Sequence, residues 1–191
     1  RLGLALLNSD DAGGAVNALR TAVQLEPADP DMHLNLGQAL HRAGSAVAAR
    51  SAFDSALRLA PAHAVTHFNI GVLDLEEGQL TAAARAFERS IQFAPHHAEA
   101  WVNLGVVRER EGQYEAALDC HRKALEAGER TGAAHRGAGR ALALLGRHGE
   151  ARAALLEAIQ LAPGDTAARE GLYASCIALG SGRLFLRSPC W

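Results

Sequence analysis

Aromatic side chains are scarce in this chain, at 5% of residues, and its charges nearly cancel, with 19 basic and 21 acidic residues for a net charge of −2. A balanced charge offers no field to attract a polyanion, and few rings mean few platforms for stacking bases, so nucleic acid is excluded as a partner class. No apolar stretch approaches the ~20 residues a membrane span requires, so no membrane partner is expected. The opening apolar run, Leu4 to Leu7, is too short for a signal peptide and meets Asp10 and Asp11 at once. The cysteines (Cys120, Cys176 and Cys190) are odd in number and widely spaced. They imply no disulfide framework and fit a reducing, intracellular and cytoplasmic setting, with Cys120 serving as a small apolar helix residue. The chain opens at Arg1 without an initiator methionine and with its pattern already under way, as an excised segment would.

What the chain has in quantity is recurrence. Glycine stands at Gly44, Gly78, Gly112, Gly146 and Gly180, each step being 34 residues. Alanine keeps the same step at Ala15, Ala49, Ala83, Ala117 and Ala151, and proline does so at Pro27, Pro61 and Pro95, returning at Pro163. A fixed period of this length defines a solenoid. In one register the units are 1–29 (incomplete), 30–63, 64–97, 98–131, 132–165 and a half unit 166–180, with an irregular tail over 181–191.

Within each unit the spacings are helical. The first half carries Leu2-Gly3, Leu36-Gly37, Ile70-Gly71 or Leu104-Gly105, preceded three residues before the Leu or Ile by His33, His67 or Trp101, with His135 in the equivalent slot of the fifth unit. The second half carries the periodic Ala, a bulkier residue four on (Leu19, Phe53, Phe87, His121, Leu155) and a small residue three later. Steps of three and four predict two amphipathic helices per unit. The periodic glycine ends the first helix in the left-handed conformation, and the proline follows the second.

This pattern resembles the tetratricopeptide repeat family over residues 1–180. The resemblance implies an all-α, right-handed superhelical solenoid of antiparallel helix pairs. It also implies a concave groove lined by each first helix, and a non-catalytic scaffold that binds a protein or peptide.

Catalytic and metal chemistry find no footing, and no cofactor is expected. Gly137-Ala138-Gly139 has Leu142 where a phosphate loop needs its third glycine, and it follows no strand. Among nine histidines, His33, His67 and His135 share the slot of Trp101. Equivalent residues of neighbouring units lie roughly 10 Å apart, too far for imidazoles that must each approach zinc to about 2 Å.

Departures from the repeat carry the functional reading. Phe68, Val72 and Leu75 form a second apolar stripe on helix 64–77, continued by Val102 and Val106 on 98–111 and begun by Leu34. A surface helix needs only one such stripe. The second is either an exposed binding patch or surface buried between neighbouring first helices. Beside it runs a ladder, Asn35, Asn69 and Asn103, whose amides can pair with any extended backbone or bond across to the next helix. Arrays that resemble this one, including the repeat region of O-linked N-acetylglucosamine transferases, use asparagines here to hold peptides. The ladder stops at Gly137 and Gly171, where Arg136 and Arg140 join Arg110 as partners for acidic groups, or as solvated surface arginine. Asp31, Val65 and Glu99 stand four residues before the asparagines, where chaperone-binding members place a lysine, so a carboxylate clamp of that kind is not expected.

Three further expectations concern architecture. Asp74 and Arg108 should pair across the repeat interface, and the glycine-rich junction 127–140 should be the softest part and a hinge. The apolar tail (Leu184, Phe185, Leu186, Trp191) could cap the last helix, dock in another molecule or do neither. Besides the peptide-binding scaffold, two readings stay open: the substrate-recruiting arm of a larger glycosyltransferase-like enzyme, and an array that self-associates end to end.

Overall fold

The computed structural model describes residues 11–180 apart from residue 129. All regular structure among them is helical: α1 (Ala12–Leu25), α2 (Pro30–Arg42), α3 (Ala46–Leu59), α4 (Ala64–Glu76), α5 (Leu80–Phe93), α6 (Ala98–Arg110), α7 (Tyr114–Glu126), α8 (Ala133–Leu144), α9 (His148–Leu161) and α10 (Thr166–Ala178). The Leu2-Gly3 step, Cys190 and the tail 181–191 lie outside the described residues. The chain divides into two compact units, the first ending at Ala94 with α5 and the second beginning at Pro95 with α6. No described helix is long and apolar enough to cross a membrane.

The period is visible in how helices stop. Gly44, Gly78, Gly112, Gly146 and Gly180 all adopt positive φ, between 71° and 76°. After α2, the Gly44 amide donates to the His41 carbonyl at 2.9 Å and the Ser45 amide to Leu40 at 2.8 Å. That pair of bonds caps the carbonyls a helix leaves open at its end. Gln79, Gln113 and Arg147 repeat the second bond, each at 2.8 Å to the residue five earlier. Several first helices are capped at the other end too, by Asp29 before α2, His63 before α4 and Asp165 before α10.

The missing Cβ of a first-helix glycine is filled by the bulky residue of the same unit's second helix. In the first unit, a Cβ on Gly71 would fall 2.7 Å from the Phe87 ring, and Gly37 faces Phe53 in the same way. In the second unit Gly105 faces His121 and Gly139 faces Leu155. Phe53, Phe87, His121 and Leu155 are all buried. Close backbone approach thus lets one large side chain fill the space between paired helices.

The junction expected to be soft has a backbone of its own. α7 stops at Glu126, and its cap Ala127 sits at φ −74°, ψ −3°, whereas Ala60, Ala94 and Ala162 end α3, α5 and α9 near φ −135° to −138°. Gly128 and Gly132 then take φ of 92° and 86°. Gly137 and Gly139 inside α8 have packing reasons, since a Cβ on either would overlap His121 or Leu155.

Asp74 has a cation on α3: Arg50 Nη2 donates to Asp74 at 2.6 Å and to Glu77 at 3.0 Å. A long guanidinium on the preceding helix can serve both carboxylates near the end of α4. In the second unit Arg108 bonds Glu111, the residue that caps α6, at 2.9 Å.

Candidate functional site

In the first unit the sequence-predicted residues lie on α2 and α4. Asn69 sits partly exposed, and its Nδ2 donates to the Val65 carbonyl of its own helix at 2.8 Å. An amide has two N–H donors and an acceptor oxygen, so one donor and the Oδ1 remain for a ligand. Asn35 is also partly exposed and makes no side-chain hydrogen bond among the described residues. Phe68, Val72 and Leu75 are half-buried, with the Phe68 ring 5.8 Å from that of Phe87. Leu34 departs from the expectation. At 6% exposure it belongs to the buried cluster of α1, α2 and α3, together with Leu19, Leu40 and Phe53, and so offers no face to a ligand.

In the second unit Asn103 repeats the arrangement of Asn69, its Nδ2 donating to Glu99 at 2.9 Å. Val102 and Val106 beside it are half-buried. The arginines divide into two kinds. Arg136 Nη1 holds Asp165 at 2.6 Å, and Arg140 pairs with Glu109, which is itself buried. Burial works to raise the Asp165 carboxyl, but the Ala168 amide, Arg136 and the Ala167 amide outweigh it and hold the group below its ordinary range. Both arginines expected to meet a ligand carboxylate are therefore engaged by carboxylates of the chain. Arg110 is exposed and makes no ion pair among the described residues.

Sequence reading missed a recurring clamp. His33 Nε2 donates to the Pro27 carbonyl at 3.0 Å, His67 Nε2 to Pro61 at 2.9 Å and Trp101 Nε1 to Pro95 at 2.9 Å, while Arg169 bonds Pro163. The first helices α2, α4, α6 and α10 thus tie back to the turn before them through a side-chain donor six residues after the proline. The constant offset of six was the available signal. It also gives His33 and His67 a structural task. Among the described residues no group of three His, Cys, Asp or Glu could hold a metal ion.

The helices, their caps and their glycine cradles define an all-α helical repeat array. Models of the tetratricopeptide repeat match residues 1–64 and 96–164, and the chain belongs to that family. A comparison with curated protein sequences found no match. Among solved structures, MamA from Desulfovibrio magneticus RS-1 is similar at a TM-score of 0.73 and 22% identity, over 86% of this chain and 93% of that one. YrrB, described as a tetratricopeptide repeat protein with an unusual peptide-binding site, is similar at 0.74 and 20% identity, over 87% and 86%. The Cut9–Hcn1 complex of the APC/C is similar at 0.80 and 19% identity, over 91% of this chain and 34% of that one. At these identities the likeness concerns the fold. The family is one of protein–protein interaction scaffolds, typically without catalysis.

Proposed function

We propose that this chain is a scaffold that binds an extended segment of a partner protein along the exposed faces of its first helices. The observation that carries this reading is the matched geometry of Asn69 and Asn103. Each spends one donor on the carbonyl four residues back, which fixes the amide without exhausting it. A fixed amide with a free donor and acceptor suits a peptide backbone, because it can bond any residue without ordering itself first. The half-buried Phe68, Val72 and Leu75 in the first unit, and Val102 and Val106 in the second, supply apolar contact beside it. Arg110 adds a cation at the end of α6 for an acidic side chain. YrrB, a similar fold, is described as binding peptide, which agrees with this reading.

The test is a peptide-display selection against the wild-type chain, repeated with Asn35, Asn69 and Asn103 all changed to Ala. Selected peptides should bind the triple variant at least tenfold more weakly, about 1.4 kcal/mol, with unchanged helicity. Equal binding by both proteins removes the ladder from the mechanism.

A further inference from the structure

His121 stands on α7 in the slot that Phe53, Phe87 and Leu155 fill in other repeats. It is 0% exposed, and neither ring nitrogen has a hydrogen-bond partner among the described residues. Its walls are backbone: a Cβ on Gly105 of α6 would fall 2.6 Å from the ring, and a Cβ on Gly137 of α8 would overlap it from the other side. An aromatic or aliphatic residue would lose nothing in such a place, whereas an imidazole leaves a donor and an acceptor unsatisfied.

We propose that His121 is an acid-operated latch: the slot between Gly105 and Gly137 admits the neutral imidazole and rejects the imidazolium, so acid loosens the packing of α6, α7 and α8.

The charges around it support this. α8 faces the ring with the cations Arg136 and Arg140, whose carboxylate partners Asp165 and Glu109 bond the guanidiniums and not the ring. Arg108 of α6 is paired with Glu111, and on α7 itself Arg122 pairs with Asp119. Among the described residues no carboxylate bonds the ring. A proton added here would therefore lie buried beside two cations, without a partner. Burial first, and then the charges of Arg140 and Arg136, push the imidazole from its ordinary 6.5 down to about 4.

The unfolded chain takes up this proton at the ordinary value and the folded chain only at the lower one. Between the two the unfolded state binds more protons, so the stability contributed by the neutral ring is complete above the upper value and is lost as pH falls toward the lower. Leu155 shows what should abolish the effect, since it fills a similar cradle between Gly139 and Gly171 with no titratable atom.

The experiment is urea unfolding of the full chain at about pH 7 and about pH 4, for wild type, His121→Leu and His121→Phe. All three share the same carboxylates, whose own acid titration cancels in the comparison. Between the two pH values the wild-type folding constant should fall on the order of 100-fold further than that of either variant. Profiles that superimpose overturn the proposal. Should both variants fail to fold, the imidazole resonances of the wild type decide: a buried ring that titrates near its ordinary value in the folded chain overturns the latch, and one that stays neutral to about pH 4 supports it.

Discussion

Arg50 on α3 reaches across to Asp74 on α4 with 2.6 Å between Nη2 and Oδ1, and the same nitrogen holds Glu77 at 3.0 Å. The two ends of this contact are unequal. The Asp74 side chain is 4% exposed and that of Arg50 is 33% exposed. Removing the cation strands a buried carboxylate, whereas removing Asp74 leaves Arg50 with Glu77 and with water. Arg50→Ala should therefore cost about 3 kcal/mol, and Asp74→Ala about 1–2 kcal/mol. Chemical unfolding of both variants checks this. If Asp74→Ala is the more costly, Asp74 does not depend on Arg50 for its charge.

Glycines of this array should respond to alanine with opposite signs. Inside a helix the change gains roughly 1 kcal/mol from propensity alone. At Gly71 the new Cβ would fall 2.7 Å from Phe87, a buried ring with nowhere to go. Overpacking of this kind costs typically about 1–3 kcal/mol, which exceeds the gain, so Gly71→Ala should destabilise. Gly149, in the first turn of α9, has nothing within 4 Å of its Cβ position, and Gly149→Ala should stabilise by about 0.5–1 kcal/mol. Equal effects at the two positions would mean that the cradle is not tight.

The clamp on the proline carbonyl makes Trp101 informative. Trp101→Phe keeps an aromatic ring for Lys123, whose Nζ lies 4.7 Å from the ring centre, but removes the donor to Pro95. The loss should be about 1 kcal/mol in urea unfolding. Trp101→His should lose less than the reduction in ring size alone suggests, because His33 and His67 make the same bond from Nε2. If Phe is tolerated better than His, the bond contributes nothing and the slot is merely apolar.

The same residues show what the sequence made legible. Helix positions, caps and the glycine cradles follow from local chemistry repeated every 34 residues, and a repeated local rule can be read without coordinates. Pairings chosen by side-chain reach cannot be read that way. Nothing in the period shows that Arg50 serves Asp74 and Glu77 together, and only the packed helices reveal it. Leu34 shares a register position with Phe68 and Val102, yet it is buried where they are half-exposed, because exposure depends on which helices surround it. His121 looked like another bulky filler at its position. Its two unsatisfied nitrogens become evident only when every neighbour has been placed.

That dependence on neighbours separates the arginines in a way binding experiments can detect. Arg140 has a side chain 61% exposed, yet it holds Glu109, whose side chain is 7% exposed. Arg140→Ala strands that carboxylate and should cost about 2 kcal/mol of stability. Arg136 is tied to Asp165 at the start of α10 in a similar manner. Arg110, exposed at the end of α6, carries no such duty, and Arg110→Ala should leave unfolding within about 0.5 kcal/mol of wild type. Selected peptides that contain acidic residues should nevertheless bind the Arg110 variant more weakly, and the difference should shrink at high salt as screening removes the charge. An Arg110 variant that binds those peptides as wild type does, while the Arg140 variant unfolds unchanged, would reverse the division and return Arg140 to the role of ligand contact.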